Sequence, residues 1–147
     1  MSAVEDRLAG AGHTLPAVAA PVAAYVPAVQ SGNYVYTSGQ LPMVSGELLS
    51  TGLVGADVDP ETAAKGAEQC ALNALAAIKS VIGDLDKVVR VVKVVGFVAA
   101  APGFTGIPPV INGASNLLGL AFGEAGTHAR SAVGVAALPL NALMSAS

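Results

Sequence analysis

Apolar positions recur at three- and four-residue steps over two stretches of this chain and alternate, or run on unbroken, over several shorter ones. The clearest helical stripe is Ala64, Ala67, Ala71, Ala74, Ile78 and Ile82, widened by Leu72, Leu75 and Ala76. It predicts a long amphipathic helix. Asp59 is the expected N-cap, Pro60 the first helical residue, Glu61 a favourable charge at the positive end, and Gly83 the stop. Because the stripe is mostly alanine, the helix can approach its sheet closely. A second, weaker helix opens at Pro108 and Pro109 and carries Val110, Ala114, Leu117 or Leu118, and Ala121 on one side. Gly113 and Gly119 cost it about 1 kcal/mol each in propensity, and Gly123 and Gly126 end it.

Between these helices, residues 87–98 are dense in valine and predict a strand. One face carries Val89, Val91, Val95 and Phe97, the other Val88, Val92, Val94 and Val98. Apolar residues on both faces require cover on both. The helices can cover one face, and another copy of the chain is the expected cover for the other. Residues 25–29 and 34–38 are short β-prone runs around Gln30-Ser31-Gly32-Asn33, which is hairpin chemistry. Residues 129–138 predict a final strand. At the start, residues 2–9 predict a short helix with Ser2 as N-cap and Glu5 at the capping-box position, ended by Gly10 and Gly12. Residues 15–24, with Pro16 and Pro21, predict an extended arm. Pro42 and the glycines from Gly46 to Gly55 predict a long loop. The predicted order is hairpin, helix, strand, helix, strand, in one domain spanning 1–147 with the helix and arm at 1–20 and a short tail at 141–147.

Composition sharpens this picture. Charged residues are 12% of the chain, about half the usual share, and mean hydropathy is +0.63, which fits a chain that gives surface to a subunit interface. A membrane span needs ~20 consecutive apolar residues, and the best stretch, 88–101, is interrupted by Arg90 and Lys93. Glu5, Asp6 and Arg7 near the start do not form a secretory signal. A net charge of −3 with no basic run offers nucleic acid no electrostatic footprint. A single cysteine, Cys70, excludes an intrachain disulfide and fits a reducing, cytoplasmic setting. It falls on the apolar side of the long helix, as a core residue would. Two histidines without metal-ligand spacing predict no metal site. The glycines form no nucleotide-binding pattern, and no cofactor is expected.

Candidate chemistry centres on Arg130, a guanidinium in an otherwise apolar strand. Its planar fork suits a carboxylate. On the residues alone, a ligand carboxylate and a structural ion pair with Glu124 or Asp57 are both open. His128, two residues earlier, would share its strand face and could serve acid–base work, although a histidine at a loop end is the simpler account. Gly39 would let the backbone come close to a ligand.

The run Tyr25-Val26-Pro27-Ala28-Val29, a turn, and Tyr34-Val35-Tyr36-Thr37-Ser38-Gly39-Gln40-Leu41-Pro42 resembles the opening hairpin of the RidA/YjgF family. Residues 94–99 resemble its central strand, Asn112 its helix-opening asparagine, and Ala129-Arg130-Ser131-Ala132-Val133 its arginine-bearing signature strand. The extra N-terminal helix, residues 55–58 and residues 111–115 resemble a longer subgroup. The likeness covers about 20–140. It implies an α+β, chorismate-mutase-like mixed sheet with two helices on one face, assembled as a homotrimer with a small-molecule cleft at each subunit interface. It further implies metal-free hydrolysis of 2-imino and enamino acids to 2-oxo acids and ammonia. In that role Arg130 would bind the substrate carboxylate, Ser38 and Gly39 would hold substrate or water, Tyr25 would wall the cleft from a neighbouring subunit, and Asn112 would line it. Two departures stand out. Ala132 occupies a position that is often cysteine. The family's last strand, with its glutamate, is not recognisable in Leu143-Met144-Ser145-Ala146-Ser147. The expectation is therefore an open edge on the Arg130 strand, or a short tail paired along only part of it, and weakened or lost turnover, with a non-catalytic carboxylate-binding protein as the alternative.

Overall fold

The computed structural model describes residues 2–18 and 24–147; Pro21 and most of the second half of the predicted arm lie outside them. Helix α1 (Ala3–Gly10) starts where Ser2 Oγ accepts the Glu5 amide at 3.1 Å. The hairpin is β1 (Ala28–Ser31) and β2 (Tyr34–Thr37), paired antiparallel with Ser31 opposite Tyr34. Its two-residue turn is Gly32-Asn33, with Gly32 at φ 59°. The predicted long loop holds a second, smaller hairpin, β3 (Met43–Val44) and β4 (Glu47–Leu48). Its turn residues Ser45 and Gly46 both have positive φ.

Helix α2 (Pro60–Ile82) has the expected punctuation. The Asp59 carboxylate accepts the Thr62 amide at 2.7 Å, which also holds its pKa below the usual aspartate value, and Gly83 closes the helix at φ 84°. The buried stripe is Ala63, Gly66, Ala67, Cys70, Ala71, Leu72, Leu75, Ala76 and Ala77. It is rotated slightly from the predicted one, leaving Ala64, Ala74 and Ile78 half-buried. Helix α3 (Ile107–Phe122) buries Val110, Ala114, Leu117, Leu118 and Ala121 as expected. Gly113 serves packing rather than merely weakening α3: a Cβ there would fall inside the Ala64 carbonyl of α2. The two helices pack backbone against backbone at this point.

The main sheet has the order β6 (Ala129–Val135), β5 (Lys93–Ala99), β7 (Met144–Ala146). Strands β5 and β6 run parallel, with Val94 opposite Arg130; β5 and β7 run antiparallel, with Val98 opposite Met144. Gln40 and Ala146 exchange backbone hydrogen bonds at 2.8 and 3.0 Å, which ties the segment after β2 to the far side of β7. Side chains opposite each other in register share a face. Val94, Gly96, Val98, Met144 and Ala146 therefore form one buried face. Gly96 lies against Ile111 of α3 and Met144 against Gly66 of α2, so both helices cover this same face. Helix α1 packs outside them: Asp86 accepts the Ala3 and Val4 amides, Arg7 Nε donates to the Ala121 carbonyl, and Glu5 pairs with Lys79 at 2.9 Å.

Two expectations are corrected. The strand begins at Lys93, not in the valines before it. Residues Leu85–Lys87 form a 3-10 turn, Val91 N–H bonds to the Ala125 carbonyl, and Val89 is 88% exposed. The ladder with β6 begins at Lys93 opposite Ala129, and residues 88–92 meet the segment before it through separate hydrogen bonds, the Val92 carbonyl accepting the Ala129 amide at 3.0 Å, rather than through a ladder. The last strand is not missing. The tail forms β7 between β5 and Gln40, with Ala142, Leu143, Met144 and Ala146 buried. Its partner is β5, so the outer edge of β6 is unpaired among the described residues, but the sheet is not left short.

Candidate functional site

A candidate cleft forms where α3, the turn after it and the start of β6 meet. Its volume is about 320 Å³, and it is lined by Asn112, Ser115, Gly119, Gly126, Thr127, His128 and Arg130. Asn112 and Ser115 are three residues apart and so occupy one face of α3. His128, just before β6, and Arg130 within it are two residues apart, and both side chains line the cleft. The guanidinium of Arg130 donates through Nη1 to Asn112 Oδ1 at 2.8 Å and to Ser115 Oγ at 3.1 Å. Ser115 Oγ lies 2.9 Å from His128 Nε2, and His128 Nδ1 lies 2.6 Å from the Gly126 carbonyl.

Arg130 has no carboxylate partner among the described residues, whose two ion pairs are His13 with Glu68 and Lys79 with Glu5. Asp57 instead accepts the Leu53 amide at 2.9 Å, and Glu124 is exposed on the turn Gly123–Gly126. The charge is thus held by two neutral acceptors through one nitrogen, with Nε and Nη2 making no hydrogen bond to the described residues. A half-buried cation so placed is set up to meet an anion.

The other sequence candidates lie elsewhere in this chain. Ser38 donates its hydroxyl to the Val26 carbonyl at 2.6 Å and its amide to the Pro27 carbonyl at 2.8 Å, closing the hairpin. Gly39 is exposed, and a Cβ there would come 2.7 Å from Ser145 Oγ of β7. Tyr25 is exposed at the hairpin's base. Gln40, Ala146, Gly96 and Ala132 stand in one row across the sheet. With about 4.8 Å per strand, the Ser38–Gly39 segment is about 14 Å from the Arg130 strand. Asn112 and Arg130 come together; Ser38, Gly39 and Tyr25 do not join them within one chain.

Sequence reasoning gave Ser115 no role and left His128 as a loop-end residue. His128 does end a loop, but its ring lines the cleft. The signals were the three-residue step from Asn112 and the two-residue step to Arg130. Cys70 takes no part: it is buried, and burial raises its thiol pKa well above the ordinary value. Among the described residues, no group of three metal-ligating side chains gathers, and no helix is long and apolar enough to cross a membrane.

This combination is that of a known fold class. The family pattern "YjgF/chorismate_mutase-like, putative endoribonuclease" matches residues 5–146. Protein TCP17 of Trypanosoma cruzi is 44% identical over 140 residues, covering 95% of this chain and 88% of that protein. The crystal structure of Atu1372 from Agrobacterium tumefaciens, of unknown function, is 51% identical with a TM-score of 0.90, covering 97% of this chain and 87% of that one. RidA from the Antarctic bacterium Psychrobacter sp. PAMC 21119 is 31% identical with a TM-score of 0.58, covering 91% and 92% of the two chains. The chain belongs to the RidA/YjgF family.

Proposed function

We propose that this protein is a metal-free deaminase of 2-imino and enamino acids, working as a cytoplasmic homotrimer whose clefts are completed at subunit interfaces. The observation that carries this reading is Arg130, a guanidinium at a small cleft with no carboxylate partner among the described residues. It would hold the substrate carboxylate and leave the adjacent imine carbon open to water. Tyr25, Ser38 and Gly39 of a neighbouring copy would close the cleft. The name endoribonuclease in the family description fits this chain less well, because a net charge of −3 with no basic run does not make a phosphate track. In a coupled assay with a freshly generated 2-imino acid, the protein is expected to accelerate release of the 2-oxo acid over buffer. A second reading is a carboxylate-binding protein without turnover. It is favoured by the lack of any carboxylate among the residues lining the cleft, and by Ser145 rather than an acid on the outward face of β7. Binding of 2-oxobutyrate with no acceleration would establish it.

Trimer formation is supported by the sheet face opposite the helices. Phe97 and Val133 stand opposite each other there, 38% and 46% exposed. A purified sample is expected to scatter light as three chains. A soluble monomer at micromolar concentration would refute the assembly and, with it, the shared cleft.

A further inference from the structure

We infer that Ser115 and His128 form the proton-transfer dyad of this cleft, with the imidazole as base and acid and the Ser115 hydroxyl as its relay to a substrate anchored on Arg130. The inference rests on the deaminase reading and assigns its acid–base group, for which the sequence offered His128 as one of two open accounts and gave Ser115 no part.

The hydrogen-bond directions follow from chemistry alone. A carbonyl only accepts, so the proton on the His128 ring shared with Gly126 at 2.6 Å belongs to Nδ1. The neutral ring then presents a lone pair at Nε2. A guanidinium only donates, so Ser115 Oγ accepts from Arg130 Nη1 at 3.1 Å. The remaining hydroxyl proton has one partner, His128 Nε2 at 2.9 Å. An adjacent cation favours negative charge on that oxygen, and an adjacent base can take its proton, which is the arrangement of an activated hydroxyl. Both Ser115 and His128 line the cleft, so a water bound there can reach the relay.

The step balances. The water oxygen bonds to the iminium carbon and the π pair moves to nitrogen. The water's proton passes to Ser115 Oγ as that hydroxyl's own proton moves to Nε2. The imidazolium returns its proton by the same route to the amino nitrogen. Ammonia leaves with the C–N electron pair, the carbinol oxygen becomes the carbonyl, and its proton goes to the departing ammonia. The dyad is restored, and no metal, oxidant or cofactor is consumed. The charged groups around the imidazole are Arg130 on β6, Arg90, whose Nη2 holds the Thr127 carbonyl at 3.0 Å, and exposed Glu124 on the preceding turn. Helix α3, the other element against it, contributes no charged residue.

The test measures kcat and KM for a freshly generated 2-imino acid against pH, using full-length parent, Ser115→Ala, Ser115→Thr and His128→Gln, with 2-oxobutyrate affinity by calorimetry. His128→Gln and Ser115→Ala are expected to lose about 100-fold or more in kcat while the Kd for 2-oxobutyrate moves by less than about threefold. The pH–rate profile of His128→Gln is expected to differ in shape from the parent's, because glutamine cannot take up a proton. Ser115→Thr, which keeps a hydroxyl, is expected to recover part of the loss. Parent-like kcat in both dyad variants, or a raised Kd with kcat unchanged, overturns the dyad and leaves the deaminase reading standing. A parent that binds 2-oxobutyrate but turns over no imine overturns both.

Discussion

Arg130→Ala is expected to abolish measurable binding of 2-oxobutyrate while leaving the chain folded and its assembly unchanged. The guanidinium is a half-buried positive charge at the cleft, and a small carboxylate has little else to bind. Removing one side of a charge-assisted pair costs about 2–5 kcal/mol, or about 30- to 5,000-fold in affinity. For so small a ligand that is most of the binding energy. The effect on stability runs the other way in size. Among the described residues Arg130 bonds to Asn112 and Ser115 alone, at the wall of an open cleft where water can replace it. The expected loss of stability is about 1 kcal/mol or less. Arg130→Lys keeps the charge but loses the planar fork, so intermediate affinity is expected. Calorimetry with 2-oxobutyrate, beside a urea denaturation curve, separates the roles. A variant that binds like the parent but melts early would make Arg130 a structural residue and put the site elsewhere.

The parts of the fold legible in the sequence were those whose determinants are local. Helix α2 is announced by Asp59, Pro60 and Gly83, which act within one turn of themselves. The Gly32-Asn33 turn fixes its hairpin for the same reason. The failures were non-local. Residues 88–92, four valines around Arg90, have the composition of a strand, but β-propensity only describes a residue suited to a pleated, half-buried surface. Whether that surface exists depends on where β6 begins, about forty residues later. The tail was misread for the opposite reason. Met144 and Ala146 point inward and Ser145 and Ser147 alternate with them, but three residues of alanine, serine and methionine carry almost no β-propensity. Their pairing is supplied by β5 on one side and Gln40 on the other. The site divides in the same way. Arg130 and Asn112 were each named as site residues from the family resemblance, whereas their hydrogen bond, and Ser115 with it, became visible only when α3 was laid beside β6.

Deletion of 142–147 is expected to leave a chain that does not fold cooperatively. These six residues include Ala142, Leu143, Met144 and Ala146, all buried, with Leu143 and Met144 against Gly66 of α2. They also supply both sides of a strand. Ala99 N–H donates to the Leu143 carbonyl, Val95 and Ser147 exchange hydrogen bonds, and Ala146 holds Gln40. Without β7 the central strand has an open edge, the β1–β2 hairpin loses its tie to the sheet, and α2 loses its cover over Gly66. Truncating one large buried side chain costs about 2–5 kcal/mol. Losing two, with their backbone pairing, reaches the 5–15 kcal/mol that typically separates folded from unfolded domains. Met144→Ala gives a graded version. Met144 is fully buried, and its sulfur lies 2.8 Å from where a Cβ on Gly66 would stand. The expected cost is about 2–4 kcal/mol in urea denaturation, with the slope unchanged because the same surface is exposed on unfolding. If the deleted chain melts within a few degrees of the parent, the tail contributes nothing to the sheet, and the order β6-β5-β7 is wrong at its last strand.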